Sequence, residues 1–281
     1  WTPIQPLPSP VRDHAMVVAD RFLYVLGGHT TGAPTADVFV NELKFDGSHL
    51  GWQVSAGSLP EALWSHRAVN VAGFLVVIGG STGSDEHTAT AAVRVTGIDR
   101  NGTITGWSSG PDLPAPRTGH AVVTTQNRIW VLGGADSLGA ETASVYYADL
   151  DPATGVLTPW QIGADLPVPV REHTAAVSNG IILVIGGHVE SRMYATTAVH
   201  KCKIQPDLSL GAWQPGFYLP VETQRGESVT IDGRIYQMGG TGLMDDYLAH
   251  ILYTNLGTDV DQTYVYGGSY TSRSISGSIM P

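Results

Sequence analysis

The chain has 281 residues, 42% of them apolar and only 14% charged, with 15 basic and 25 acidic side chains and a formal net charge of −10. That length suits one large all-β domain or two small ones, with room for a sizeable core. The acidic balance excludes a basic nucleic-acid footprint. The lone Cys202 excludes an intrachain disulfide or a cysteine zinc cluster, and no apolar run approaches the ~20 residues of a membrane span.

The chain opens on "WTPIQPLP", a tryptophan followed by Leu-Pro, and this pairing recurs throughout. Trp1, Trp52, Trp107, Trp160 and Trp213 each precede Leu7-Pro8, Leu59-Pro60, Leu113-Pro114, Leu166-Pro167 and Leu219-Pro220 by six or seven residues. Six residues after each proline stand His14, His66, His120, His173 and, lastly, Gly226. Thirteen residues further on comes a glycine pair: Gly27-Gly28, Gly79-Gly80, Gly133-Gly134, Gly186-Gly187 and Gly239-Gly240. A period of 52 to 54 residues marks a repeat architecture.

Within each repeat the constant thirteen predicts two paired strands joined by an unvarying turn, since an insertion would flip side chains to the wrong face. The first strand reads "HAMVVA", "HAVVTT" or "HTAAVS". The turn is polar ("ADR", "QNR", "SNG", "DGR"), and the second strand is β-prone ("FLYVL", "RIWVL", "IILVI"). A third strand follows a variable loop and is marked by aliphatic pairs such as Val38/Leu43, Val145/Leu150 and Val199/Ile204. The Trp–Leu-Pro segment is the fourth strand. Four antiparallel strands repeated in this way predict an all-β fold, a β-propeller.

This pattern resembles the kelch repeat, with a double glycine closing the second strand and a tryptophan in the fourth. It covers residues 1 to about 256 five times over, and departs at Gly226 and in lacking a Trp–Leu-Pro after Leu256. The expectation is a five-bladed kelch-type β-propeller of four-stranded antiparallel blades. The blades fall at roughly 9–58, 61–112, 115–165, 168–218 and 221–256, with residues 1–8 completing the last blade and closing the ring. Residues 257–281 form a C-terminal strand and tail, with "TYVY" beside blade five or as an arm that pairs with another chain.

Topology puts the Leu-Pro-to-histidine loop and the loop after the glycine pair on one face, at the propeller mouth. The ligand-binding candidates gathered there are Arg12, His14, His29, Trp64, His66, Arg117, His120, Asp136, Arg171, His173, His188, Glu190, Arg192 and Arg225. Both charge signs beside an aromatic suit a small polar ligand or a carboxylate. The repeat histidines also have a structural reading, with the ring buried against a neighbouring blade. The glycine pairs read as structural, permitting positive φ or close contact at the strand end, and the tryptophans as packing between blades. "RDH" and "REH" place Asp13 and Glu172 before a histidine, but strand alternation speaks against a shared site. No nucleophile motif appears, and the sequence calls for no cofactor, no metal and no catalytic residue.

Kelch-like propellers include binding modules and enzymes, so the fold alone leaves function open. The leading expectation is a non-enzymatic extracellular or cell-surface scaffold that docks a protein or glycan, within a larger assembly or as a homo-oligomer or filament through the tail. The alternatives are a sugar-type mutarotase or lyase using the Arg/His mouth, as the resemblance to the sialic-acid mutarotase family implies, and a sugar-binding lectin. Three lysines, many glycines and one cysteine lean towards a secreted or cell-surface bacterial protein. Whether a leader or anchor precedes Trp1 is left open.

Overall fold

The computed structural model describes residues 5–46, 48–190, 194–242, 251–255 and 263–266. These form five antiparallel sheets in chain order, the blades of a five-bladed kelch-type β-propeller. Blade one has strands Ala15–Ala19, Phe22–Leu26, Val38–Glu42 and Gln53–Val54. Blade two has Arg67–Val71, Phe74–Ile78, Val93–Gly97 and Ser108–Ser109, and blade three has Ala121–Thr125, Arg128–Leu132, Val145–Asp149 and Gln161–Ile162. Blade four has Thr174–Ser178, Ile181–Ile185 and two longer strands, Tyr194–Lys203 and Gln214–Thr223, with the short His188–Val189 strand added. Blade five has Glu227–Ile231, Arg234–Met238, Ile251–Asn255 and Thr263–Tyr266.

The expected closure is corrected at blade five. Its fourth strand is Thr263–Tyr266, paired antiparallel with Ile251–Asn255, so "TYVY" supplies the outer strand that residues 1–8 were expected to form. Of that N-terminal segment, Trp1 to Ile4 lie outside the described residues, and Gln5 to Pro8 carry no strand. The β-prone "TYVY" matches a strand better than a segment with three prolines, which lack the amide donors a ladder needs. The sheet therefore extends past residue 256, and the rest of the tail lies outside the described residues.

The chain forms two compact units. One comprises the residues up to Trp130 with Ala135–Ala140 and Tyr146–Gln161, and the other comprises Val131–Gly134, Glu141–Val145 and the residues from Ile162 onward. The first unit's core joins Val17, Phe22, Tyr24, Leu26, Val38, Leu59, Leu63, Leu75, Val77 and Ile104, with Trp107 packed against it. The second's joins Ala176, Leu183, Ile185, Val199, Leu219, Ile235 and Leu252. Leu59 and Leu219 in these cores are the leucines of the Leu-Pro signature, which explains why leucine recurs there. Burial pushes the Tyr24 hydroxyl up to about 12, and that hydroxyl donates to the Gly102 carbonyl at 2.7 Å.

The spacing of thirteen has a geometric cause. In blade one the hairpin register pairs Ala15 with Leu26, and the same register resumes beyond the strand ends as a bridge between Arg12 and His29. His14 and Gly27 thus lie opposite each other between two paired positions. Blade four repeats this, with Thr174 on Ile185 and Arg171 on His188, and blade five with Glu227 on Met238 and Gln224 on Thr241. A one-residue change in either strand would break both pairings.

The glycine pair then joins one blade to the next. In the first unit, the Gly28 amide donates to the Leu63 carbonyl and the Gly80 amide to the Arg117 carbonyl, both at 2.7 Å. In the second unit, the Gly134 amide reaches the Val170 carbonyl at 2.8 Å and the Gly187 amide the Thr223 carbonyl at 2.7 Å. The first glycine of each pair is left-handed, and at Gly27, Gly79, Gly133 and Gly186 a Cβ would meet the next blade. On Gly79 it would lie 2.6 Å from the Arg117 carbonyl oxygen and 3.0 Å from His120 Cε1. On Gly133 it would lie 2.7 Å from the Val170 oxygen and 2.9 Å from His173 Cε1. A side chain has no room at these positions, so glycine is required.

The tryptophans tie the same joints elsewhere. Trp160 Nε1 donates to the Pro111 carbonyl at 2.9 Å, and Trp213 Nε1 to the Ala164 carbonyl at 3.0 Å. Each indole thus reaches a residue about fifty positions back, one repeat earlier. Trp1 lies outside the described residues. Among the described residues no helix is long and apolar enough to cross a membrane.

Candidate functional site

The predicted mouth residues separate into two groups. His66, His120 and His173 are 1%, 0% and 0% exposed, each wedged on the first glycine of the preceding blade. Burial, followed by the charges of Arg67 and His14, pushes His66 down to about 3, so its ring is neutral at physiological pH. These rings are joint packing and are not available to a ligand. His14 is only partly buried.

The residues preceding the histidines have an unusual backbone. Asp13, Ser65, Glu172 and Arg225 all carry left-handed φ of 49–57°, and Gly119 has 59°. They belong to the link between hairpin and bridge, where regular strand alternation does not apply. Neighbouring members bond through the backbone: Ser65 N–H to the Asp13 carbonyl at 2.8 Å in the first unit, and Arg225 N–H to the Glu172 carbonyl at 2.8 Å in the second. Asp13 pairs with Arg12 at 2.5 Å, and Glu172 with Arg225 at 2.9 Å.

In the first unit the remaining candidates are committed to structure. Trp64 is buried, donates from Nε1 to the Gly83 carbonyl at 2.7 Å, and meets the His29 ring edge-on at 5.6 Å between centroids. His29 Nδ1 lies 2.7 Å from the Thr30 carbonyl. Arg117 is 3% exposed, donates to the Tyr146 hydroxyl at 2.8 Å and stacks on that ring at 5.2 Å. Burial lowers the Arg117 pKa, while Tyr146 and Asp136 favour its charge. Asp136 caps its own loop, accepting from the Leu138 and Ala140 amides at 2.8 and 3.0 Å.

The second unit brings three polar side chains together. Glu141, in the loop between the glycine pair and third strand of blade three, has a side chain only 4% exposed. Its Oε1 lies 2.5 Å from His188 Nδ1 and 3.5 Å from Arg171 Nε, and its Oε2 accepts the Glu190 amide at 2.7 Å. Arg171 and His188 were both among the expected mouth residues. Glu141, which holds them, was missed because it lies in a loop of variable length with no repeat counterpart. Arg192 lies outside the described residues. Cys202 is buried, and burial pushes its thiol pKa up.

Blades joined through paired glycines, with an imidazole or threonine in the four described joints and an indole bond one repeat back, define a kelch-type propeller. Comparison with known proteins agrees. Residues 65–260 match the KLHDC2/KLHL20/DRC7 Kelch-repeats domain, and the chain belongs to the kelch-repeat family. It is 24% identical over 242 residues to Kelch-like protein 35 of Mus musculus, covering 85% of this chain and 37% of that protein. It is 29% identical over 158 residues to beta-scruin of Limulus polyphemus, covering 55% of this chain and 17% of that protein. The chain thus spans well under half the length of these relatives. The solved structure of YjhT superposes with a TM-score of 0.71 at 16% identity, over 92% of this chain and 84% of that one, a likeness of fold.

Proposed function

We propose that the chain is a non-enzymatic docking module, a kelch scaffold whose rims hold a protein partner within a larger assembly. The observation that carries this reading is a set of apolar side chains left in solvent on turns and outer strands. Phe45 is 110% exposed, and it occupies a tight turn where the corresponding residues of blades two to four are Arg100, Pro152 and Pro206. Leu50, Val54, Leu138, Ile162 and Tyr218 are also exposed. Exposed aromatics on a rigid frame are typical anchors for a partner protein. Membership of the kelch-repeat family supports the reading, as does burial of the histidines that an Arg/His catalytic mouth would need. The proposal sets the module outside the cytoplasm of a bacterium, on a composition with few lysines, many glycines and one cysteine.

The test is site-specific photocrosslinking in the native source, with the photoreactive group at position 45, 162 or 218 and products identified by mass spectrometry. A recurrent protein adduct at one or more of these positions supports the proposal. Unadducted chain at all three positions overturns it.

A further inference from the structure

In blades two, three and four every residue of the innermost strand is at least partly buried, but the innermost strands of blades one and five each leave one face in solvent. Side chains alternate across a strand, so each innermost strand turns one set to the blade before it and the other to the blade after it. In blade one, Val17 and Ala19 are 9% and 3% exposed and share a core with Leu75 and Val77 of blade two. The alternate residues, Met16 and Val18, point away from blade two and are 61% and 53% exposed. In blade five, Ser228 Oγ lies 2.7 Å from Thr174 Oγ1 of blade four and 3.1 Å from the Ala175 carbonyl oxygen, and Thr230 Oγ1 donates to the Val177 carbonyl at 2.9 Å. The alternate residues there, Val229 and Ile231, point away from blade four and are 38% and 52% exposed.

A neighbouring blade covers the equivalent face elsewhere in the chain. Ala176 and Ser178, the blade-four counterparts of Val229 and Ile231, are 5% and 4% exposed, and Ser178 Oγ donates to the Gly233 carbonyl of blade five at 2.8 Å. The counterparts of Val18 are polar and seat their own blade on the one before. Thr230 does so in blade five, and Asn70 of blade two donates from Nδ2 to the Val18 carbonyl at 3.2 Å. The two open faces are therefore opposite halves of one joint, and both are apolar where the described joints use hydroxyl or amide groups. Apolar side chains held in solvent on a rigid sheet mark a surface that another protein covers.

We propose that the blade-five face of one molecule packs on the blade-one face of a second copy of this chain, joining copies head to tail through an additional kelch-type joint. A second copy fits because one chain carries both halves, and each half matches the other in position and in apolar character. The register of the joint between blades four and five, where Thr174 meets Ser228, sets Val229 of one copy against Val18 of the next, one step further along the strands. Such a contact is heterologous: each added copy leaves the same two faces open at the ends, so assembly continues beyond a pair. It uses two blade faces, not the rims or the C-terminal tail, and is independent of partner docking.

The experiment combines light scattering with disulfide trapping on the purified full chain. The average mass should rise with concentration past that of two chains, and fall to that of one chain in Val18→Asp. Val229→Asp should do the same from the other face, which keeps the test available if one variant folds poorly by circular dichroism. Val18→Cys and Val229→Cys chains, mixed under mild oxidation, should form the mixed disulfide in excess over either same-variant disulfide, since Cys202 is buried and does not compete. A single-chain mass at every concentration, a mass that stops at two chains, or an unchanged mass in the folded variants would overturn the proposal. So would a mixed disulfide without excess, or a disulfide that closes within one molecule of the Val18→Cys, Val229→Cys double variant.

Discussion

The joint between blades three and four and the joint between blades four and five use the same backbone device but different side chains. In the first, His173 fills the space against Gly133, and the Gly134 amide caps the Val170 carbonyl. In the second, Gly226 stands where the histidine would be. A Cβ on Gly186 would meet the Thr223 carbonyl oxygen and, at 3.1 Å, the Thr223 Cγ2 instead, and a Cβ on Gly226 would meet the Gln237 side-chain amide nitrogen. The glycine amide bond is kept at 2.7 Å. The comparison shows that the invariant element of the repeat is the glycine and its bond to the next blade. The imidazole is one of several fillers.

That distinction is broken most sharply at the glycine. Gly79→Ala forces a left-handed alanine with its Cβ 2.6 Å from a carbonyl oxygen. It should destabilise by about 3–5 kcal/mol, combining backbone strain with overpacking. Gly73→Ala is the control: its φ of 87° is also positive, but no atom lies within 4 Å of the added carbon. It should cost only about 1–2 kcal/mol. Equal losses in urea denaturation would remove the joint from the argument.

Removing a filler should cost less than clashing with the glycine. His120→Ala leaves a cavity at a fully buried site, and about 2–3 kcal/mol is expected from such truncations. A loss below the Gly73→Ala control would show that the imidazole carries no packing.

A filler that must stay neutral gives a pH signature. His66 titrates at about 3 in the fold against 6.5 unfolded. Above pH 6.5 both states are neutral and nothing changes. Below it the unfolded chain takes up a proton that the fold refuses, so stability falls as pH drops from 6.5 towards 3. The slope for one such group is at most ~1.4 kcal/mol per pH unit. Denaturation midpoints at pH 7, 6 and 5 should decline less steeply in His66→Gln than in the parent, and parallel declines would contradict the burial argument.

The smallest stability effect belongs to the rim. Phe45→Ser removes a fully exposed ring and should change stability by no more than about 0.5 kcal/mol, while reducing partner adducts at neighbouring positions.

Much of this architecture was legible in the sequence because hairpin register leaves a spacing behind. Thirteen residues separate His14 from Gly27 because they face each other within one ladder. The contact that matters for stability was not legible. A Cβ on Gly27 would meet His66 Cε1 at 2.9 Å, and such closeness between repeats leaves no fixed spacing within one. The fourth strands were found by their tryptophans but are only two residues long in blades one to three. The last blade's outer strand was assigned to the wrong end of the chain, because its "TYVY" lacks the signature that the other fourth strands share. Glu141 was invisible for the opposite reason to the glycines: nothing repeats it, and only the folded loop brings it to His188 and Arg171.

The most direct test of the docking account is the composition and mass of the particle isolated from its native source, by native mass spectrometry. The account predicts a particle heavier than one chain and containing a second protein, released when Phe45 is replaced. A particle no heavier than a single chain, under conditions that preserve other complexes from the same source, would contradict it.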